Sequence, residues 1–255
     1  MNISLLIEFT KRDFVERYTG SLLGTSWAFI RPLVDILIYT LVFSKIMTAK
    51  LGGIESPFSY SIYLIAGIIP WIAFSNTIMR TTTSFIDKKN IITKMDLSLL
   101  RFPSFILFSE VITYVITSSF YFIFLFASGY GFSKFILFVP LVFFVQQILA
   151  YSMGIFFAVL NVFFKDFKEL VGVIMQIWFW LTPIVYVEKI LPDFVKGYMV
   201  LNPAYLFVSS YHDIFAYQQA PPFSYVMALI IISHFFALMA YILFKLLEKD
   251  VRDFL

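Results

Sequence analysis

The sequence predicts an all-α membrane protein of six transmembrane helices, with an amphipathic helix before the first and a re-entrant helix pair between the fifth and sixth. Three observations predict it. The 255 residues are 60% apolar and only 14% charged, with a mean hydropathy of +0.87, more apolar surface than a soluble domain of this size can hide. Six apolar runs, 32–49, 58–85, 102–128, 134–163, 168–187 and 224–247, each hold roughly 18 residues or more, enough for a hydrocarbon thickness of about 30 Å. Lys and Arg are divided unequally between alternate connections. One set carries Lys11, Arg12, Arg17, Arg31, Arg80, Lys88, Lys89, Lys94, Arg101, Lys165, Lys168, Lys245, Lys249 and Arg252, 14 in all; the other carries Lys45, Lys50, Lys134, Lys189 and Lys196, only 5. The richer set is cytoplasmic by the positive-inside rule, and both termini with it.

The first element is a surface helix. Ile3, Leu6, Ile7, Phe14 and Tyr18 fall on one helical stripe, with charged residues filling the rest. Glu8 to Arg12 and Asp13 to Arg17 are i,i+4 pairs with the acid N-terminal, the favourable order on an exposed face. Acidic and basic residues alternate here and the first long apolar run starts only near Pro32, so a secretory signal is a poor alternative.

The second run contains Gly67 and Pro70 and the fifth contains Pro183. Proline removes a backbone donor and clashes one turn back, so both helices are expected to kink or break. Such breaks are tolerated at membrane depth only where protein or a water-filled path meets the freed carbonyls. Between the second and third runs, Ile91, Ile92, Met95, Leu99 and Leu100 repeat at helical spacing against Lys88, Lys94, Asp96 and Ser98. This predicts a short amphipathic helix on the inner face, either a solvated loop helix or a docking element. The outer connection 188–222 is long yet aromatic. Pro192 and Pro203 suit first helical positions and Asn202 an N-cap, predicting helices of about 10 and 14 residues, too short to cross.

Chemistry is defined largely by what the sequence lacks. There is no G-x-x-x-x-G-K-[ST], so the chain cannot cradle ATP phosphates with a P-loop of its own. There is no cysteine and no D-x-D, and His212 and His234 are not in ligand spacing, so neither a metal site nor a metal-dependent enzyme is expected. Asp35 and Glu110 lie within apolar runs, where ionisable groups are costly. Asp35 can reach the interface or Arg31; Glu110 is either a pore-facing acid or a buried partner for a Ser, Thr or Tyr; His234 is read as a packing residue. Trp27, Trp71, Tyr114, Trp178, Trp180 and Tyr186 are either an interfacial belt with core packing or, because sugar C–H faces pack on aromatic rings, a sliding surface for a glycan.

Several residues occur in an order that resembles a known family: Arg12-Asp13-Phe14, Arg17-Tyr18, Leu23-Gly24, Trp27, Pro32, Tyr39 and Phe43, then Ala66-Gly67, Pro70-Trp71, Asn90, Lys94, Pro103, Lys165-Asp166, Thr182-Pro183-Ile184, Tyr186 and Asn202-Pro203. Over essentially the whole chain this resembles the permease subunit of ABC-2 type polysaccharide exporters, of the O-antigen or lipopolysaccharide kind. The resemblance implies a single domain over 1–255, made of a cytoplasmic interface helix (1–30), a cytoplasmic coupling or gate loop (86–101) and outer re-entrant gate helices (188–222). It implies a homodimer in the cytoplasmic (inner) membrane, partnered by two copies of a separate ATP-binding subunit that hydrolyses ATP and moving a lipid-linked polysaccharide. The chain itself would be no enzyme and hold no cofactor. Tyr39, Trp71, Glu110, Tyr114, Trp178, Trp180 and Tyr186 would line the channel. Arg12, Arg17, Lys88, Lys89, Lys94 and Asp96 would contact the ATPase, and Phe194, Tyr198, Tyr205, Phe207 and Tyr211 would form the outer gate. The alternatives are ABC-2 export of capsule, teichoic acid or small hydrophobic molecules, a proton-coupled carrier using Glu110 and His234, and an integral glycosyltransferase or lipid-phosphate enzyme.

Overall fold

A computed structural model describes residues 3–46, 51, 56–94, 98–164 and 166–255. The expectations placed on Lys50, Asp96 and Lys165 lie outside the described residues. Every regular element described is helical: α1 (Ile3–Glu16), α2 (Trp27–Thr40), α3 (Ser59–Asp87), α4 (Lys89–Ile92), α5 (Ser104–Ala127), α6 (Val139–Phe163), α7 (Phe167–Leu181), α8 (Asp193–Met199), α9 (Pro203–Phe215) and α10 (Phe223–Phe254).

Among the described residues, five helical stretches are long and apolar enough to cross a membrane: Gly24–Ser44, Ser59–Asp87, Ser104–Ala127, Lys134–Phe163 and Phe223–Phe254. The chain is therefore a multi-pass membrane protein. The sixth expected run behaves differently. α7 has 15 residues, about 22 Å at 1.5 Å per residue, short of the roughly 30 Å a bilayer core requires. It stops because Pro183 pushes Thr182 into extended backbone (φ −108°, ψ 132°).

The two prolines have different outcomes. α3 runs continuously through Pro70, against the expected break, whereas at Pro183 the helix ends. At the second site donors are waiting: the Tyr63 hydroxyl donates to the carbonyls of Pro183 and Tyr186, both at 3.2 Å, and the Tyr60 hydroxyl donates to the carbonyl of Val185. An unwound backbone in an apolar interior persists only when its carbonyls are met in this way.

α3 is the central post, buried along most of its length, with α5, α6, α7 and α9 around it. α9 is buried too, capped by the Asn202 side chain, which accepts from Ala204 N at 3.0 Å. α8 is shorter than expected, seven residues with none buried, and Pro192 precedes it instead of opening it. His212 of α9 is clamped between the Tyr63 ring, 3.6 Å away centroid to centroid, and Gly67, where an added Cβ would come within 2.7 Å of its Nε2. Only glycine permits that approach.

At the other end of the bundle a second apolar cluster gathers Phe85, Ile92, Leu99, Phe102, Phe105 and Phe244, with Leu5, Leu6 and Phe9 of α1 packed on it. The packed face of α1 is thus rotated from the expected stripe. Phe9, Thr10 and Asp13 turn inward while Ile3 and Ile7 stay exposed, because Asp13 is drawn to arginines in the bundle.

Candidate functional site

Four charges fasten α1 to the bundle. Arg80, in the C-terminal half of α3, reaches Asp13 Oδ1 at 2.5 Å and Glu110 Oε1 at 2.7 Å. Arg17, one residue past α1, reaches the same Glu110 oxygen at 3.0 Å and Asp13 Oδ2 at 3.3 Å. Arg17 also donates to Ser109 Oγ at 2.5 Å and Thr113 Oγ1 at 3.2 Å. Glu110 is only 1% exposed; an ion so deep persists when paired and further hydrogen-bonded. The sequence offers Glu110 either as a pore-facing acid or as the partner of a hydroxyl; here it lines a cavity and pairs with arginines. The overlooked signal was Arg80, an opposite charge inside the neighbouring apolar run. The pairing also turns Arg17 inward, leaving its side chain 19% exposed. Glu110 Oε2 and Arg17 Nε have no hydrogen-bond partner among the described residues.

Beside this quartet lies a half-open cavity of about 350 Å³ between α2, α3 and α5. α2 contributes Trp27, Arg31, Asp35 and Tyr39, a stripe at intervals of four. α5 contributes Glu110, Thr113, Tyr114 and Thr117. α3 contributes Asn76 and Arg80 at one end and Ile65, Ile68, Ile69 and Ile72 along the rest. The cavity is therefore charged at one end and apolar at the other. The Arg31 guanidinium carbon lies 5.9 Å from the Trp27 ring centroid, a cation–π distance.

Of the residues expected to line one channel, Tyr39, Glu110 and Tyr114 meet at this cavity. Trp71 and Trp178 do not: they pack edge to face, 6.2 Å apart, where α3 meets α7. A separate groove of about 330 Å³ runs there past Trp71, Met79, Met175 and Phe179. Trp180 is exposed, and Tyr186 donates to its carbonyl at 3.0 Å. Within one chain α3 contacts α5 and α7 separately, with Tyr39, Glu110 and Tyr114 at the cavity beside α5 and Trp71 and Trp178 at the α7 contact. His234 is exposed on α10, with Nδ1 2.8 Å from the Ile230 carbonyl of its own helix.

The outer aromatics divide likewise. Phe194 and Tyr198 on α8 are exposed, whereas Tyr205, Phe207 and Tyr211 on α9 are core residues. The Tyr205 hydroxyl donates to Glu188 Oε2 at 2.8 Å, and Phe207 packs 5.0 Å from Phe74. Asn202 joins the two helices around the break: Trp178 Nε1 donates to its Oδ1 at 2.7 Å, and its Nδ2 donates to Thr182 Oγ1 at 3.1 Å.

Comparison with known proteins decides the family. The pattern of the ABC-2 type transporter membrane family matches residues 4–216. The chain belongs to the ABC-2 type transporter family. It is 26% identical over 231 residues to an O-antigen export system permease protein RfbA of Myxococcus xanthus, covering 90% of this chain and 86% of the relative. It is 28% identical over 212 residues to an RfbA of Klebsiella pneumoniae, covering 83% and 80%. The matched stretch runs from α1 through α9, so the quartet and the cavity lie within the ABC-2 region.

In this ABC-2 chain, Glu16 ties α1 to the segment after α3. Its carboxylate takes Lys88 Nζ at 2.8 Å and Arg12 Nε at 2.6 Å. The Lys88 hydrogen bond, then that of Arg12, holds the Glu16 carboxyl below its ordinary range. Arg12 therefore pairs with Glu16, not with Glu8. Lys89 and Lys94 stay exposed.

Proposed function

We propose that this ABC-2 chain is the transmembrane subunit of an ATP-driven exporter that carries a lipid-linked polysaccharide of the O-antigen kind across the cytoplasmic membrane, acting as a homodimer with two copies of a separate ATPase. The observation that carries the reading is the match to O-antigen export permeases along at least four-fifths of their length. The absence of a P-loop in the sequence agrees, since energy must then come from another subunit.

A sixth crossing is supported by where the ends of α7 attach. Its first turn meets α6 through Lys168 N donating to Asn161 Oδ1, and the Asn161 amide donates to the carbonyl of Thr82 on α3. Past its last turn the chain meets Tyr63 of α3. Thr82 and Tyr63 are nineteen residues apart on α3, about 28 Å at 1.5 Å per residue, close to a hydrocarbon core. α7 plus 182–187 therefore completes six spans, α8 and α9 return to the outer leaflet as a re-entrant pair, and the Lys/Arg bias puts both termini in the cytoplasm.

In this mechanism the ATPases contact α1 and the 86–101 segment through Arg12, Lys88, Lys89, Lys94 and Asp96. Closure of the ATPase dimer pushes α1, and the quartet passes the push to α3 and α5. The dimer forms along the exposed apolar faces of α2 and α7, which brings Tyr39, Trp71, Trp178, Trp180 and Tyr186 toward a shared path, with Phe194, Tyr198 and the α9 aromatics at its outer end.

Co-expression with the ATPase encoded beside it tests the reading. The expected result is a two-plus-two complex whose hydrolysis responds to lipid-linked glycan. A chain that associates with no P-loop protein would overturn it.

A further inference from the structure

We propose that the cavity between α2, α3 and α5 binds a neutral sugar ring of a glycosylated lipid, with Asp35, Asn76 and Glu110 holding the ring and the α3 isoleucines taking the chain; this rests on the exporter reading above.

Charge comes first. Around the charged end the lining sets the guanidinium groups of Arg17, Arg31 and Arg80 against the carboxylates of Asp35 and Glu110, and Asp13, outside the lining, pairs with Arg17 and Arg80. With Asp13 counted, three guanidinium groups meet three carboxylates, which leaves the whole cluster no surplus positive charge with which to prefer a phosphate. It has instead acceptors and donors side by side. A sugar hydroxyl both donates and accepts, so one ring satisfies carboxylates and an amide or guanidinium together.

Glu110 supplies the second observation. Its Oε1 is shared by Arg17 and Arg80, while its buried Oε2 has no partner among the described residues and the residue lines the cavity. A buried acceptor left unmade is costly, and a ligand hydroxyl there removes that cost.

The shape is the third. Trp27 and Tyr39, on the same α2 stripe as Arg31 and Asp35, offer rings on which apolar sugar faces pack. Away from the charges, Ile65, Ile68, Ile69 and Ile72 form a strip at helical spacing. The matching ligand is polar at one end and apolar at the other. A volume of about 350 Å³ admits one ring and the start of a chain.

The test is equilibrium binding to the full chain in lipid nanodiscs. The probes are radiolabelled decyl glycosides of glucose, galactose, mannose and N-acetylglucosamine, with decanol and decyl phosphate as competitors. At least one glycoside is expected to bind about tenfold tighter than decanol, and Asp35→Asn and Asn76→Ala, on separate helices, each to weaken it about tenfold. Glycosides no tighter than decanol would reduce the cavity to an apolar slot and overturn the proposal. So would decyl phosphate outcompeting every glycoside, or binding indifferent to both substitutions. A chain that assembles with its ATPase but shows no glycoside preference keeps the exporter reading and loses this site. Glycoside binding by a chain without a P-loop partner does the reverse.

Discussion

Arg80 on α3 and Glu110 on α5 meet at 2.7 Å, and the same Glu110 oxygen lies 3.0 Å from Arg17 just past α1. One nearly inaccessible carboxylate thus joins three helices. In an apolar surrounding such an ion is held by its partners, so the arrangement acts as a unit: remove one charge and the remaining three no longer balance.

Arg80→Met is therefore expected to cost about 3–5 kcal/mol, the range for stranding a buried charge. Combining it with Asp13→Asn restores neutrality and is expected to recover a large part. Thermal unfolding of the detergent-solubilised chain reads both. A double variant no more stable than the single would mean the charges do not act together.

Close packing at His212 gives a second expectation. Replacing a helical glycine by alanine normally stabilises by up to about 1 kcal/mol. At Gly67 the new Cβ would meet His212 Nε2 at 2.7 Å and Ile184 Cγ2 at 3.3 Å, with the imidazole backed by Tyr63. Gly67→Ala should therefore lower the melting temperature, and adding His212→Ala should remove that loss. If Gly67→Ala alone proves neutral or stabilising, the ring moves freely and is not clamped.

Asn202 bears on the outer break. Its carboxamide caps α9, accepts from Trp178 and donates to Thr182. Asn202→Ala is expected to lose about 1–2 kcal/mol from the cap alone and to speed proteolysis within 182–202. Asn202→Asp keeps both acceptor contacts but cannot donate to Thr182, so it should fall between wild type and alanine. Equal cleavage rates in all three would mean this side chain does not hold the break.

The sequence made some of this legible and hid the rest for physical reasons. Asn202 capping α9, with Pro203 in its first turn, is local and was readable from the dipeptide. Pro70 and Pro183 give the same local signal, yet only the second ends a helix. The difference lies in Tyr60, Tyr63 and Asn202, which come from distant positions to satisfy the unwound segment. Glu110 stood out because burial makes any lone acid in an apolar run conspicuous. Its partners needed knowledge of which helices touch. Apolar periodicity marks Ile3 and Ile7 on the stripe of a surface helix, whereas the face of α1 that packs on the bundle is set by the ion pair of Asp13 with Arg80, which the periodicity does not show. The channel residues were chosen by chemistry alone, which could not reveal that Tyr39, Glu110 and Tyr114 meet beside α5 and Trp71 and Trp178 at the α7 contact.

The contact between α1 and Lys88 should be sensitive to acid. Glu16 has its carboxyl pKa lowered by Lys88 and then Arg12. A depressed acid contributes stability that is fully present above the ordinary glutamate range and is lost as pH falls through the lower folded value. The contribution is under about 1 kcal/mol, because the group is partly exposed and screened. Amide exchange in Ile3–Glu16 should therefore be slower at pH 7 than at pH 4, beyond the intrinsic pH effect on exchange. Glu16→Gln should reduce that difference while leaving exchange in α3 and α5 unchanged, since the quartet does not include Glu16. If exchange in α1 changes with pH to the same extent in Glu16→Gln, the contact with Lys88 does not hold the helix in place.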